Sequence, residues 1–265
     1  MLKDVTLGQY FPGSSIVHRL DPRTKIIWLI GYIVALFLVN NAWGYGLMAA
    51  ILISFTAIAR ISAKAMLKGM KPLIFIVVFT CLINLFYGTG EPIWEFWIFS
   101  ITVNGIRTAI FMALRIMLLV CGTFLLTYTT SPLQLTDGLE KLLSPLKKIK
   151  VPVHELSMMM SIALRFIPTL IEETDKIMSA QKARGASFDT GKLTERAKAL
   201  IPMLVPLFVS AFRRADELAT AMECRCYQGG EGRTRMKELK FSSRDAIALL
   251  CCAIIIAAVC VLRKV

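Results

Sequence analysis

The sequence predicts an all-α protein, with about five membrane-spanning helices and a cytoplasmic module of amphipathic helices. Two observations carry that prediction. Hydrophobic residues fill 56% of the 265 positions and the mean hydropathy is +0.63, yet 18% of residues are charged. Both hold only because long apolar runs alternate with charged stretches. The second observation is where the charges fall. Residues 1–25 carry Lys3, Arg19, Arg23 and Lys25, residues 60–71 carry Arg60, Lys64, Lys68 and Lys71, and 130–245 hold 19 Lys/Arg against 14 Asp/Glu. This is the positive-inside pattern of a polytopic membrane protein. The net charge of +13 therefore reads as topology, and nucleic acid is not expected as a partner.

The membrane domain is expected over 1–129, with four spans at 26–40, 42–59, 73–87 and 106–129. The first 25 residues are mixed and polar, so no cleavable signal is expected. Asn40-Asn41 breaks the first two spans into a hairpin, and the third begins after Lys71-Pro72. Residues 88–105 lack Lys and Arg but hold Trp94 and Trp97, the marks of an outer interface. A fifth span is expected within 246–265. Charge counting puts the N-terminus and residues 130–245 inside, and only Arg263-Lys264 opposes that orientation. Arg107 and Arg115 are the ionisable residues within the apolar runs. Arg107 reads as a snorkelling residue, and Arg115 as a packing partner or a contact for another subunit. Gly105, Ala109 and Ala113 form a small-residue stripe, suited to packing within the chain or against a partner. Of seven cysteines, five lie in apolar runs as small hydrophobes, while Cys224 and Cys226 fall in the segment assigned to the reducing cytoplasm.

Residues 130–245 read as a module with helices at 132–149, 153–184 and 193–225. Ser131-Pro132-Leu133-Gln134 resembles a capping box with proline at the first helical position. Leu135, Leu139, Leu142 and Leu146 then follow at helical spacing, with Ser144-Pro145 interrupting near the end, which suggests a helix lying along the inner membrane face. The two longer helices contain Pro168, and Pro202 with Pro206, which are candidate bend points. The run 199–212 is too short for a comfortable span and reads as a buried amphipathic helix.

Compared at an offset of 41 residues, the two longer helices echo each other. Asp175 and Arg184 match Asp216 and Arg225, with Ala180 opposite Ala221. Their charges are complementary: Glu172-Glu173 stand against Arg213-Arg214, and Lys176 against Glu217. If the helices pack together, opposite charges meet. Each helix also ends in an arginine element, Ala183-Arg184-Gly185 in the first and Cys224-Arg225-Cys226 in the second. A C-terminal arginine caps its own carbonyls or projects toward a partner carboxylate, which its planar fork binds bidentately.

Spans, then two arginine-tipped coupling helices, then a last span: this order resembles the EcfT/CbiQ family, the transmembrane scaffolds of energy-coupling-factor importers, over essentially the whole chain. The resemblance implies that Arg184 and Arg225 each insert in a groove of one of two ATP-binding cassette ATPase subunits. It also implies a small membrane substrate-binding subunit (an S-component) as a further partner, and a bacterial cell membrane as the location. Ala183-Arg184-Gly185 fits the family element fully, whereas Cys224 and Cys226 replace its small flanking residues.

The sequence has no Gly-x4-Gly-Lys-Ser/Thr phosphate loop and no nucleophile–base constellation. A non-catalytic coupler is therefore expected, binding no cofactor itself, with ATP and Mg held by the partner ATPases. Cys224-x-Cys226 lacks the further ligands of a structural zinc site, so no metal is expected. A stand-alone carrier or channel, or a membrane-embedded enzyme, is the alternative. The first needs a polar path through the spans. The second needs clustered acids at the inner interface, and 14 of the 18 acidic residues do lie in 130–245, where they read as helix-surface charges.

Overall fold

The computed structural model describes residues 10–86, 92–96, 99–186, 193–230 and 239–263. They divide into two units: described residues up to 138 and from 239 onward form one, and those between 139 and 230 form the other.

The first unit begins with α1 (Pro22–Leu38), capped by Asp21, whose carboxylate accepts the Arg23 amide. Proline at the first turn costs nothing, because that position has no helical acceptor for an N–H. At 17 residues α1 is about 26 Å long, just short of the ~30 Å hydrocarbon layer. Four helical stretches among the described residues are long and apolar enough to cross a membrane: α2 (Ala42–Ala59), Ala63–Phe86, α5 (Val103–Thr129) and α9 (Ser243–Leu262). Ala63–Phe86 comprises α3 (Ala63–Met70), a 3-10 turn (Lys71–Leu73) and α4 (Ile74–Phe86). The expected third span thus starts earlier than residue 73. Pro72 lacks an N–H to donate, and the chain tightens locally into 3-10 geometry instead of breaking.

One element departs from the all-α expectation. Residues Pro92–Phe96 (β1) and Phe99–Thr102 (β2) pair as an antiparallel hairpin where the sequence suggested only an outer loop. The hairpin leads directly into α5, because the Thr102 hydroxyl accepts the Gly105 amide at 3.0 Å and caps the helix. That cap starts α5 three residues before the expected boundary of 106.

The core of this unit gathers Trp28, Tyr32, Leu36, Tyr45, Met48, Leu118 and Cys252. Gly122 makes it possible: a Cβ there would sit 2.8 Å from Tyr32 Cε1. Arg115 is a packing partner within the chain. Its Nε donates to Tyr45 Oη at 3.0 Å and its Nη2 to the Val39 carbonyl at 3.1 Å, between the rings of Phe37 and Tyr45. Gly105 and Ala109 are buried, and the Cys81 thiol lies 3.5 Å from the Ala109 carbonyl, so the small-residue stripe faces α4.

Polar clasps join the helix ends into two sets. At one end, Asp245 accepts the Asp21 amide at 2.8 Å and the Ser242 amide at 2.9 Å, closing the capping box of α9 onto α1. Arg23 donates to the Leu239 carbonyl at 2.7 Å, and Lys25 Nζ donates to the Thr129 carbonyl at 2.9 Å. The starts of α1 and α9 and the end of α5 therefore lie together. At the other end, Asn41 Nδ2 donates to the Leu262 carbonyl at 3.0 Å, which places the α1–α2 turn beside the end of α9.

In the second unit, α6 (Pro132–Leu143) arrives from the first and tightens into a 3-10 turn (Ser144–Ile149). The 3-10 turn begins at Ser144-Pro145, where the sequence places the interruption of the 132–149 helix, again where proline removes a donor. Then come α7 (Val153–Ala183) and α8 (Leu193–Cys224), within one residue of the expected ends. Pro168, Pro202 and Pro206 all lie inside these helices.

Candidate functional site: two arginine-tipped helix ends

The two long helices of the second unit pack together and run antiparallel. Glu173 is the hub of their contact. Arg214 Nη2 donates to its Oε2 at 2.8 Å, and the Ser210 hydroxyl donates to its Oε1. Farther along, Gln181 Nε2 donates to the Pro202 carbonyl at 3.2 Å. Partners of rising number on α7 have falling number on α8, which defines the antiparallel sense. The Gln181 bond has a covalent origin. In a helix the Pro202 carbonyl would accept from residue 206, but Pro206 has no N–H. The orphaned carbonyl is left for Gln181.

The structure brings only part of the predicted charge set together. Glu173 and Arg214 meet, whereas Glu172, Asp175, Arg213 and Asp216 form no ion pair among the described residues. Glu172, Arg213 and Asp216 are exposed. Ser210 and Gln181 completed the contact without a signal in the charge pattern, since a neutral donor shows no complementarity along a sequence.

The ion pair also sits at a special place. Glu173 and Arg214 are equivalent at the offset of 41, so each lies eleven residues before its own arginine tip, Arg184 or Arg225. The tips share one backbone geometry. Arg184 N–H bonds to the Gln181 carbonyl at 3.1 Å, Gly185 N–H to Lys182 at 3.0 Å and Ala186 N–H to Gln181 at 3.0 Å. Arg225 N–H bonds to Met222 at 3.1 Å, Cys226 N–H to Glu223 at 2.8 Å and Tyr227 N–H to Met222 at 3.1 Å. Both ends turn through a left-handed residue, Gly185 at φ +89° and Cys226 at φ +55°. This is the cap that satisfies the last carbonyls of a helix, and it turns Cys226 into the geometric counterpart of Gly185. Ala183, Arg184, Gly185, Cys224, Arg225 and Cys226 are all exposed.

Between ion pair and N-terminus, α8 bares an apolar stripe of Ile201, Val205, Phe208 and Phe212, and α7 bares Leu156, Met159 and Met160. All seven cysteines are free, and no cluster of three or more His, Cys, Asp or Glu is placed to hold a metal ion among the described residues.

Fold and site together define a class: a polytopic helical membrane protein bearing an antiparallel helix pair with two like arginine ends. The family described as "Cobalt transport protein" (CbiQ) matches residues 13–236. The chain is 57% identical over 251 residues to the energy-coupling factor transporter transmembrane protein EcfT of Ruminiclostridium cellulolyticum, covering 93% of this chain and 92% of that one. It is 52% identical to EcfT of Clostridium kluyveri, covering 100% and 98%, and 48% identical to EcfT of Bacillus subtilis, covering 99% and 100%. The chain belongs to the EcfT/CbiQ family of energy-coupling factor transporter transmembrane proteins.

Proposed function

We propose that this chain is the transmembrane scaffold of an ATP-driven importer of vitamins or other micronutrients, coupling partner ATPases to a separate substrate-binding membrane subunit. The observation that carries the reading is the pair of like arginine ends set symmetrically about the Glu173–Arg214 contact. Eleven residues on each side, at 1.5 Å per residue, put the ends up to about 33 Å apart and facing opposite ways. One chain thereby offers two equivalent plugs to two separate receptors. Each receptor is an ATP-binding cassette subunit, with a carboxylate-lined groove that takes the guanidinium bidentately.

The N-terminus and the coupling module lie in the cytoplasm, as the basic loops favour. The grouping of helix ends supports the alternation, since the starts of α1 and α9 and the end of α5 share one side. ATP and Mg belong to the partners, and this chain binds neither. ATP-driven closure of the ATPase pair moves the two tips relative to each other, and the apolar stripes of α7 and α8 pass that motion to the S-component. Pro168, Pro202 and Pro206 are the places where the helices flex.

Replacing both tip arginines, Arg184→Glu and Arg225→Glu, reverses the charge at both plugs. Vitamin uptake by membrane vesicles containing the full complex is expected to fall at least about tenfold, with loss of the ATPases on purification or ATP hydrolysis no longer tied to uptake. Uptake at the parent rate in the double variant overturns the proposal.

A further inference from the structure

The two arginine ends are alike in their backbone turns, and at the second a further contact lies beyond the cap. Beyond Cys226 the chain returns onto the first turn of α7. There a methyl group on Gly230 would overlap the His154 ring, lying 2.7 Å from Cγ and 3.1 Å from Cβ. The ring itself is fixed from the other side: His154 Nδ1 lies 3.1 Å from Oε1 of Glu140, on α6. Glu140 is 8% exposed. A carboxylate acceptor assigns the proton to Nδ1, and Nε2 is enclosed without a hydrogen-bond partner among the described residues. The ring therefore cannot turn over to offer Nε2 without breaking its polar contact. Val153 and Ser157, on either side of it along α7, are both buried. At the first end, a methyl group on Gly185, the counterpart of Cys226, would meet no atom of the described residues within 4 Å.

We propose that His154 is a positioning residue for the Arg225 end, holding it through the Gly230 contact while Glu140 holds the ring. This rests on the reading of both arginine ends as ATPase docking points. Under it the Arg225 plug is braced against α6 and α7 in addition to its own helix cap. A brace of this kind fixes the direction of Arg225 before docking, so less orientational freedom is lost when the ATPase binds. Gly230 has the role of a contact that tolerates no side chain, and His154 supplies a flat wall at a fixed height.

The test uses the full complex, with a photo-crosslinking benzoylphenylalanine replacing Ala183 in one version and Cys224 in the other. These positions are equivalent on the two helices and both are exposed. Gly230→Ala and His154→Leu are expected to lower crosslinking to an ATPase subunit from position 224 by about tenfold, the range a single buried clash or lost contact produces. Crosslinking from position 183 should change less than about twofold. His154→Asn, whose amide nitrogen takes the place of Nδ1 toward Glu140, should restore crosslinking from 224. In a His154→Ala background, Gly230→Ala should have no further effect, because the ring it strikes is gone. Equal losses at 183 and 224, or none at either, overturn the brace while leaving docking intact. Absence of crosslinks from both positions in the parent complex overturns the docking reading and the brace with it.

Discussion

Cys226 has φ +55°, one of three described non-glycine residues with positive φ, beside Arg60 and Lys150. The left-handed region costs a side-chain-bearing residue about 1–2 kcal/mol, which glycine avoids. Gly185 avoids it at the first end, whereas Cys226 carries it at the second. Cys226→Gly is therefore expected to tighten that helix end, slowing hydrogen exchange of the Tyr227 amide several-fold, while Cys226→Val should speed it. Unchanged exchange in both variants would mean that the strain is absorbed elsewhere. His18 supports a second prediction. Its Nε2 lies 3.1 Å from the Phe11 carbonyl and its Nδ1 2.7 Å from Ser15 Oγ, the pattern of a neutral ring donating from Nε2. Burial pushes its pKa below the usual 6.5, the Phe11 carbonyl pulls it up, and the Lys25 charge lowers it further. The unfolded chain thus takes up a proton first as pH falls. Stability contributed by neutral His18 is present above about pH 6.5 and is lost as pH falls toward the folded value. Melting temperatures of the purified chain from about pH 7 to about pH 5 should fall less steeply for His18→Gln than for the parent.

At the scale of an element, the α7–α8 contact joins a charge pair to two hydrogen bonds from neutral donors, Ser210 to the Glu173 carboxylate and Gln181 to the Pro202 carbonyl. Side-chain exposures of 35% for Arg214 and 22% for Glu173 leave the pair partly screened by solvent. A double-mutant cycle of Glu173→Ala and Arg214→Ala should accordingly give a coupling of about 0.5–1 kcal/mol in thermal stability. Strict additivity would show that the two side chains meet without stabilising the crossing. A charge swap, Glu173→Arg with Arg214→Glu, should recover only part of that coupling, because Ser210 now donates to a carboxylate that the swap removes. The two helices α7 and α8 were legible in the sequence to within one residue, since apolar spacing, proline and glycine all act locally. That acidic residues on α7 face arginines on α8 was also readable from complementary runs. Which member of each run makes contact was not, because a neighbour in sequence is turned about 100° around a helix. The hairpin Pro92–Thr102 stayed hidden for a different reason: its alternation is brief and lies in a stretch already explained by interfacial tryptophans.

Across the whole molecule, contacts far apart in sequence tie the membrane helices together, and periodicity gives no hint of them. Asp21 and Asp245 are 224 residues apart, yet the Asp245 carboxylate accepts from two backbone amides while only 2% exposed. Asp245→Ala removes the α9 cap and strands the Asp21 amide, at a combined cost of about 2–4 kcal/mol. The melting temperature of the purified chain should fall by several degrees. A shift within error would show that α1 and α9 are held by apolar packing alone. The antiparallel helix pair carries a consequence of another kind. With the ion pair as fulcrum, each arm is about 16 Å long. Turning one helix by about 10° against the other then sweeps its arginine through about 3 Å, roughly the length of one hydrogen bond. A scissor stroke that small is enough to seat or unseat a guanidinium. Phe208 and Phe212, six and two residues from Arg214, lie closer to the fulcrum than the tip and so move less and with greater force.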